Sequence, residues 1–155
     1  PANASYQLIG VYHENLVNRI ALVLRNLGCD RAMVVCSKRG MDEIALDSPT
    51  IVSELKHGEV MSYEITPEMY GMKYSSHHDI RVDDPIGSLE LINDIFDGKE
   101  GAAADIVTIN AGAAIYLGGK AETIQEGRDK AVHLLKSGKV RSLFHKFIEI
   151  TNSFD

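Results

Sequence analysis

The chain has 155 residues, of which 22 are acidic and 16 are basic, and its net charge is -6. This length suffices for one domain that buries a core without disulfides, and the acidic balance argues against a nucleic-acid-binding surface. No stretch reaches the roughly 18 apolar residues of a membrane span, and the first residues lack the pattern of a secretory signal. We therefore expect a single domain, residues 1–155, in a cytoplasmic protein that binds neither nucleic acid nor membrane.

Strand and helix patterns alternate at the start of the chain. Residues 6–12 form an apolar run of strand formers, which predicts a strand buried on both faces in the middle of a parallel sheet. Residues 16–27 carry apolar side chains at helical spacing, and Gly28 follows where a left-handed helix end is expected. Residues 32–36 predict a second buried strand. This order predicts a right-handed crossover, after which the loop lies where open α/β sheets bind ligands.

A hairpin and a helical second half follow. Two strand-like runs, 50–55 and 60–65, are separated by a short segment in which Gly58 supplies the geometry of a tight antiparallel turn. The later pattern is helical, and Asp84 followed by Pro85 predicts one of its helix starts.

The last third of the chain completes the expected architecture. Residues 102–117 are rich in small and apolar side chains, so we expect the most buried helix there. Thr123 and Glu126 predict a capping box for the helix that follows. Together the patterns predict an α/β fold with an open, mainly parallel sheet, packed helices and one antiparallel hairpin.

The segment Gly40-Met41-Asp42-Glu43 places two adjacent carboxylates directly after the second predicted strand. Adjacent side chains in a regular strand point to opposite faces, so both can approach one ion only on an irregular turn, which Gly40 favours. Carboxylate oxygens suit Mg²⁺, which keeps several waters and joins one or two carboxylates to substrate phosphates. The alternative is a solvated acidic pair in a surface loop. Asp42 and Glu43 are therefore candidate metal ligands.

Other polar groups carry weaker signals. Lys38 and Arg39 either contact phosphate oxygens or form a solvated basic pair. The run His77-His78-Asp79 lacks the spacing that brings metal ligands together, so it predicts a surface loop.

The sequence supplies no recognisable nucleophile or phosphate-binding motif. Cys29 and Cys36 predict free core thiols in a reducing compartment. No histidine has a visible Ser or Cys partner, and neither Gly-x-Gly-x-x-Gly nor a P-loop occurs. We assign no catalytic residue and no residue that binds an organic cofactor.

Five segments, in order along the chain, resemble anthranilate phosphoribosyltransferases. They are residues 7–12, Val34-Val35, Gly40-Met41-Asp42-Glu43-Ile44, residues 49–54, and residues 105–116 with their Asn-Ala-Gly-Ala-Ala core. The opening Pro1-Ala2 is similar to the end of the family's Gly-Pro-Leu-x-Asn-Pro-Ala segment. The resemblance implies the carboxyl-terminal part of a longer enzyme.

The family transfers phosphoribosyl from phosphoribosyl pyrophosphate to anthranilate in tryptophan biosynthesis, with release of pyrophosphate. Its members are usually homodimers in which a small helical domain packs against a large α/β domain. The resemblance implies that Asp42 and Glu43 bind Mg²⁺ and that no covalent nucleophile is needed.

The resemblance also implies that parts of the enzyme are missing. The family's Gly-Thr-Gly-Gly-Asp phosphate loop, its Lys-His-Gly-Asn-Arg segment and its anthranilate-contacting arginine belong before this chain. We therefore expect the isolated chain to be inactive. We also expect a free sheet edge and an uncovered apolar face, which require the amino-terminal part or self-association.

Two other functions remain open at this point. One is a non-catalytic binding module of the same fold, although the acidic balance disfavours nucleic acid as its ligand. The other is a relative of the pyrimidine-nucleoside phosphorylases, which use phosphate and a nucleoside. The Gly-Met-Asp-Glu turn and the Gln-Leu-Ile-Gly-Val opening favour the transferase.

Overall fold

The structure is a computed structural model that describes residues 4–154, so the interpretation of Pro1-Ala2 lies outside the described residues. The strands are β1 (Tyr6–Gly10), β2 (Arg31–Ser37), β3 (Thr50–Lys56) and β4 (Glu59–Ile65). The helices are α1 (Glu14–Asn26), α2 (Pro85–Phe96), α3 (Ala102–Leu117), α4 (Ile124–Lys136) and α5 (Lys139–Asn152). Short 3₁₀ helices lie at Pro67–Tyr70 and His77–Ile80.

The four strands form one sheet in the order β1-β2-β3-β4. β1 and β2 are parallel, whereas β2 with β3 and β3 with β4 are antiparallel. The α/β fold and the hairpin are confirmed, and His57 and Gly58 make its turn with φ of 52° and 80°. The sheet described within residues 4–154 is mixed, however, where we expected a mainly parallel one. The reason is that β3 follows β2 through a loop, without the crossover helix that a parallel neighbour requires.

Helices cover both faces of the sheet. On β2, Ala32, Val34 and Cys36 pack with α1, while Met33 and Val35 pack on the opposite side with α3. This alternation follows from the period of two in a strand, and all five residues are buried. β2 is therefore the strand that both helical layers enclose.

The position of β1 differs from the prediction of a central strand. It lies at the edge of the sheet, and its ends, Tyr6 and Gly10, are exposed. Within residues 4–154, no strand pairs with its outer side. The apolar run predicted burial on both faces, but the burial of a strand also depends on which strands and helices pack beside it.

The helices begin largely where the sequence predicts. Asp84 Oδ1 accepts a hydrogen bond from the Gly87 backbone N–H at 2.7 Å, and Thr123 Oγ1 accepts from Glu126 N–H at 3.1 Å. The predicted capping box is only half formed, because Glu126 Oε2 accepts from the N–H of Glu122. No helix in the described part of the chain has the length and apolar character needed to cross a membrane.

Glycines let α3 and α4 pack backbone against backbone. A Cβ atom built on Gly127 would lie 2.2 Å from the Gly112 carbonyl oxygen, and one on Gly112 would lie 2.5 Å from the Arg128 nitrogen. Arg128 Nη2 also donates to Asp105 Oδ1 at 2.9 Å. These contacts, together with the sheet on its other side, make α3 the helix with the most buried residues, as predicted.

Replacing Gly127 with Ala is expected to destabilise the protein by about 1–3 kcal/mol, the cost of overpacking a close contact. The same change in an open helix would stabilise by about 1 kcal/mol, so the sign of the effect reports the close packing. Urea denaturation gives the free energy of unfolding. Gly87→Ala is the control, since a Cβ there meets only Asp84 Oδ1 at 3.4 Å and the Val82 side chain at 3.9 Å. Equal effects of the two substitutions would contradict the prediction.

Residues 4–154 leave one face of α5 uncovered. Phe144 packs on Phe96 with ring centroids 5.5 Å apart, but a second set of apolar side chains lies outside this contact. We call this set, at helical spacing on α5 and the turn after it, the outer stripe of α5. It consists of Leu143, Phe147, Ile150 and Phe154, with exposures of 67%, 60%, 48% and 82%. An apolar stripe of this kind is typical of a surface that packs against another element.

Candidate functional site

The candidate site lies in the loop that follows β2. β1 and β2 are parallel, so their carboxyl ends, Gly10 and Ser37, meet at the same edge of the sheet. The loop, residues 38–49, begins at this edge and carries Asp42 and Glu43. The predicted placement beyond the carboxyl ends of the parallel strands is confirmed.

The first turn of the loop is held by Ser37. Its Oγ accepts hydrogen bonds from the backbone N–H groups of Met41 at 2.9 Å and Arg39 at 3.3 Å, and its own N–H donates to the Met41 carbonyl at 2.8 Å. Gly40 adopts φ of 84° within this turn, a conformation that favours glycine. The irregular turn predicted from Gly40 is thus present immediately before the acidic pair.

Gly10 lies directly beneath the backbone of Asp42. A Cβ atom built on Gly10 would lie 1.5 Å from the Asp42 carbonyl oxygen. Gly10 is not among the residues with positive φ, so the position requires glycine for space and not for backbone conformation. The backbone at the end of β1 therefore packs directly against the backbone of the acidic loop.

Asn110, from α3, holds the other side of the acidic pair. Its Oδ1 accepts from the backbone N–H of Ile44 at 3.0 Å, and its Nδ2 donates to the Ile44 carbonyl at 2.9 Å. Ile44 itself is buried in the core beneath α3. The backbone of the acidic pair thus lies between the close approach of β1 at Asp42 and the hydrogen bonds from α3 at Ile44.

The side chains of Asp42 and Glu43 are exposed, whereas the residues after them are buried. Two exposed carboxylates on a fixed backbone are a donor set that suits Mg²⁺, which takes its remaining ligands from water and substrate phosphates. Within residues 4–154, no three His, Cys, Asp or Glu side chains form a group able to hold a metal ion. The residues present therefore fit a shared site of this kind and not a closed protein cage.

The two basic residues before the acidic pair have acidic partners. Lys38 Nζ lies 2.5 Å from Glu64 Oε2, and Arg39 Nη1 lies 3.8 Å from Asp47 Oδ2. The hydrogen bond that Lys38 donates to Glu64 raises the pKa of Lys38, which keeps its amine charged. These pairs favour the solvated alternative over direct phosphate contacts.

The Cys36 thiol lies close to the site but is unreactive. It is buried, and its Sγ donates to the Ser37 carbonyl at 3.3 Å. Burial raises its pKa, and the nearby carboxylates of Glu14 and Asp42 raise it further. A thiol that stays protonated is a poor nucleophile, so Cys36 is a core residue, as the sequence predicts.

The histidine-rich segment forms a short 3₁₀ helix on the surface, where we expected a loop. Ser76 Oγ accepts from the His78 N–H at 3.2 Å, and Asp79 Oδ2 accepts from the Ser76 N–H at 3.0 Å. These reciprocal bonds make a capping box. Asp79 therefore caps the turn, and the predicted surface placement is confirmed for His78 and Asp79.

A polar cluster that sequence reasoning missed lies around Glu54, at the opposite end of β2 from the acidic loop. Glu54 Oε2 accepts from Tyr63 Oη at 2.9 Å and its Oε1 from Tyr116 Oη at 2.8 Å. Arg31 Nη2 lies 3.7 Å from Oε1. Burial and the Glu54 charge raise the pKa of Tyr63 far above its ordinary value, so this phenol remains a donor. The cluster satisfies a buried carboxylate and joins α3 to the sheet.

These features define an α/β domain that presents a carboxylate pair beyond the carboxyl ends of its parallel strands, the usual ligand edge of open α/β sheets. Within that class, the chain belongs to the glycosyl transferase family, a/b domain, whose family profile matches residues 1–141. The predicted resemblance is confirmed at this level.

Curated relatives of the chain are anthranilate phosphoribosyltransferases. The protein of Stenotrophomonas maltophilia is 42% identical over 153 residues, which cover 99% of this chain and 45% of that protein. The protein of Acetivibrio thermocellus is 41% identical over 154 residues, again 99% of this chain and 45% of that protein. The chain therefore spans about half the length of the curated relatives it matches.

Solved structures show the same fold. The anthranilate phosphoribosyltransferase of Thermus thermophilus has a TM-score of 0.81 and 30% identity, over 90% of this chain and 41% of that one. The Saccharomyces cerevisiae enzyme in complex with PRPP and Mg has a TM-score of 0.79 and 21% identity, over 90% of this chain and 41% of that one. At that identity the second likeness shows the fold alone.

Sequence reasoning did not assign roles to Gly10 and Asn110. Signals for both exist in the sequence. A glycine inside a strand pattern often marks a close backbone approach, which fits Gly10. A side-chain amide in a buried helix that is otherwise rich in small and apolar residues requires a hydrogen-bond partner, which fits Asn110. Neither signal names the partner, because that partner comes from a distant part of the chain.

Proposed function

We propose that this chain is the carboxyl-terminal α/β part of an anthranilate phosphoribosyltransferase. The whole enzyme transfers phosphoribosyl from phosphoribosyl pyrophosphate to anthranilate in tryptophan biosynthesis and releases pyrophosphate. The observation that carries the proposal is 42% identity over 99% of the chain to a relative of that name. The acidic pair at the ligand edge of the sheet is consistent with this chemistry.

In this proposal Asp42 and Glu43 would hold Mg²⁺, as the chemistry of their oxygens allows. When bound, Mg²⁺ supplies neutralisation of the charge on the departing pyrophosphate. The protein's own contribution is to fix the backbone beneath the carboxylates, through the hydrogen bonds of Asn110 at Ile44 and the space that Gly10 leaves at Asp42. The anthranilate amine displaces pyrophosphate directly at the anomeric carbon, so no side chain of this chain acts as a nucleophile.

The partner of this chain is, in the same proposal, the amino-terminal part of the enzyme. The exposed edge of β1 offers free backbone groups that another strand would pair with. The outer stripe of α5 offers an apolar surface that would be covered in the whole protein. The whole enzyme would act as a homodimer in the cytoplasm.

An activity assay tests the proposal. The polypeptide that joins this chain to its upstream sequence is expected to consume anthranilate, followed by its fluorescence, only when phosphoribosyl pyrophosphate and Mg²⁺ are both present. The 155-residue chain alone is expected to show no turnover, since it carries no glycine-rich phosphate loop and two carboxylates cannot replace the N–H donors and cations of such a loop.

Other outcomes separate the alternatives. Phosphate-dependent cleavage of pyrimidine nucleosides, without anthranilate consumption, would favour the phosphorylase. Binding of a ligand without turnover of either kind would favour a binding module. Turnover by the 155-residue chain alone would overturn the proposal that the upstream part is needed.

A further inference from the structure

We infer that Asn110 is the positioning residue that sets the metal affinity of Asp42 and Glu43. The inference rests on the proposed function, in which these two carboxylates hold Mg²⁺. Asn110 lies on α3, 66 positions after Ile44, and its side-chain amide contacts the backbone of the loop.

The Asn110 amide is almost fully used by backbone groups. Its Oδ1 accepts from Ile44 N–H at 3.0 Å, and its Nδ2 donates to the carbonyls of Ile44 at 2.9 Å and Ile106 at 2.9 Å. The bond to Ile106 fixes the amide on its own helix. The other two bonds then fix both backbone polar groups of Ile44. One side chain thus does for this loop residue what a strand partner does inside a sheet.

Ile44 is the residue directly after Glu43, so fixing the Ile44 backbone also restricts the backbone of the acidic pair. The loop's salt bridges use Asp47 and Glu64, and they leave the side chains of Asp42 and Glu43 exposed. The direction of the two carboxylates therefore depends on the backbone beneath them. Gly10 leaves the space in which that backbone lies at Asp42, and Asn110 holds it by hydrogen bonds at Ile44. Loss of the Asn110 bonds would free one end of the pair, and a side chain at position 10 would displace the other end.

A purely structural role for Asn110 predicts that loss of another buried hydrogen bond of α3 affects metal binding in the same way. Thr108 lies on the same helix, is buried, and donates to the Ala104 and Asp105 carbonyls of α3 itself. These two bonds stay within the helix and do not reach the acidic loop. Thr108→Val is thus a matched control that removes a buried hydrogen bond of α3 and leaves the loop anchors unchanged.

The experiment measures Mn²⁺ binding, by electron paramagnetic resonance of the free ion, to the polypeptide that joins this chain to its upstream sequence. Removal of a residue that orients metal ligands typically costs about 10- to 100-fold in metal affinity. Asn110→Ala is expected to weaken Mn²⁺ binding by about 10-fold on this basis, and Thr108→Val is expected to leave it unchanged. The Mg²⁺ concentration for half-maximal turnover should rise in parallel, with kcat recovering at saturating Mg²⁺.

Two further variants keep the outcomes distinct. Asp42→Asn tests the metal site itself: if it leaves Mn²⁺ binding unchanged, the proposed function of the pair fails, whatever Asn110 does. If Asp42→Asn weakens binding and Asn110→Ala does not, the positioning role alone is overturned. Should Asn110→Ala fail to fold, Asn110→Asp decides, because it keeps the volume but turns an acceptor toward two carbonyls. Unchanged Mn²⁺ affinity in a folded Asn110→Asp protein overturns the inference.

Discussion

Replacing both Asp42 with Asn and Glu43 with Gln, in the polypeptide that joins this chain to its upstream sequence, is expected to lower the proposed transferase turnover by on the order of 100-fold. This loss is typical of removing an electrostatic stabiliser of a transition state. Both substitutions keep the size of the side chain and remove its charge. Because the two side chains are exposed, the free energy of unfolding should change by less than about 0.5 kcal/mol. Turnover is measured as anthranilate consumption over a range of Mg²⁺ concentrations.

The control for this pair is Glu90→Gln combined with Glu100→Gln. Both residues are exposed, on α2 and just before α3, and their substitution removes the same charge from elsewhere on the surface. The control protein should retain normal turnover. A double Asp42 and Glu43 variant with unchanged turnover and unchanged Mg²⁺ dependence would remove the basis for the metal site.

Replacing Gly10 with Ala is expected to displace the acidic loop. The new Cβ would lie 1.5 Å from the Asp42 carbonyl oxygen, a distance at which either the loop or the end of β1 must move. A displacement of about 1 Å in a catalytic group lowers turnover by about 100-fold, and the overpacking costs about 1–3 kcal/mol of stability. Anthranilate consumption and urea denaturation measure these two effects, and Mn²⁺ binding reports the displacement of the carboxylates.

Ile9→Ala is the matched control for Gly10→Ala. Ile9 is the adjacent residue of β1, and it packs against the core beneath α1, on the other face of the sheet from Ile44. Loss of its side chain should lower stability and leave Mn²⁺ affinity unchanged. If the two variants lose stability and metal affinity in the same proportion, the effect of Gly10 is general destabilisation and not displacement of the loop.

Local patterns were sufficient wherever a structural element depends on its own residues. The crossover of β1, α1 and β2, the hairpin turn at His57 and Gly58, and the helix start at Asp84 all follow from periodicity or turn chemistry. The acidic turn after β2 belongs to the same group, because Gly40 and Ser37 lie within or beside the loop that they shape.

Pairing between distant segments could not be obtained in this way. An apolar run predicts burial but does not identify its neighbours, which is why β1 lies at the edge of the sheet and not in its centre. The same limit applies to β3, whose antiparallel pairing with β2 makes the sheet mixed. The cluster around Glu54 likewise joins residues from different strands and a helix.

The α/β class, the family resemblance and the acidic pair could all be obtained from local sequence patterns, since each is carried by residues adjacent along the chain. The contacts that hold the acidic pair in place became visible only in the folded chain. Gly10 and Asn110 lie on either side of the pair in space, but Gly10 is 32 positions before Asp42 and Asn110 is 67 positions after Glu43. Close backbone approach and side-chain hydrogen bonding act over a few ångströms, and only the folded chain brings these residues within that range.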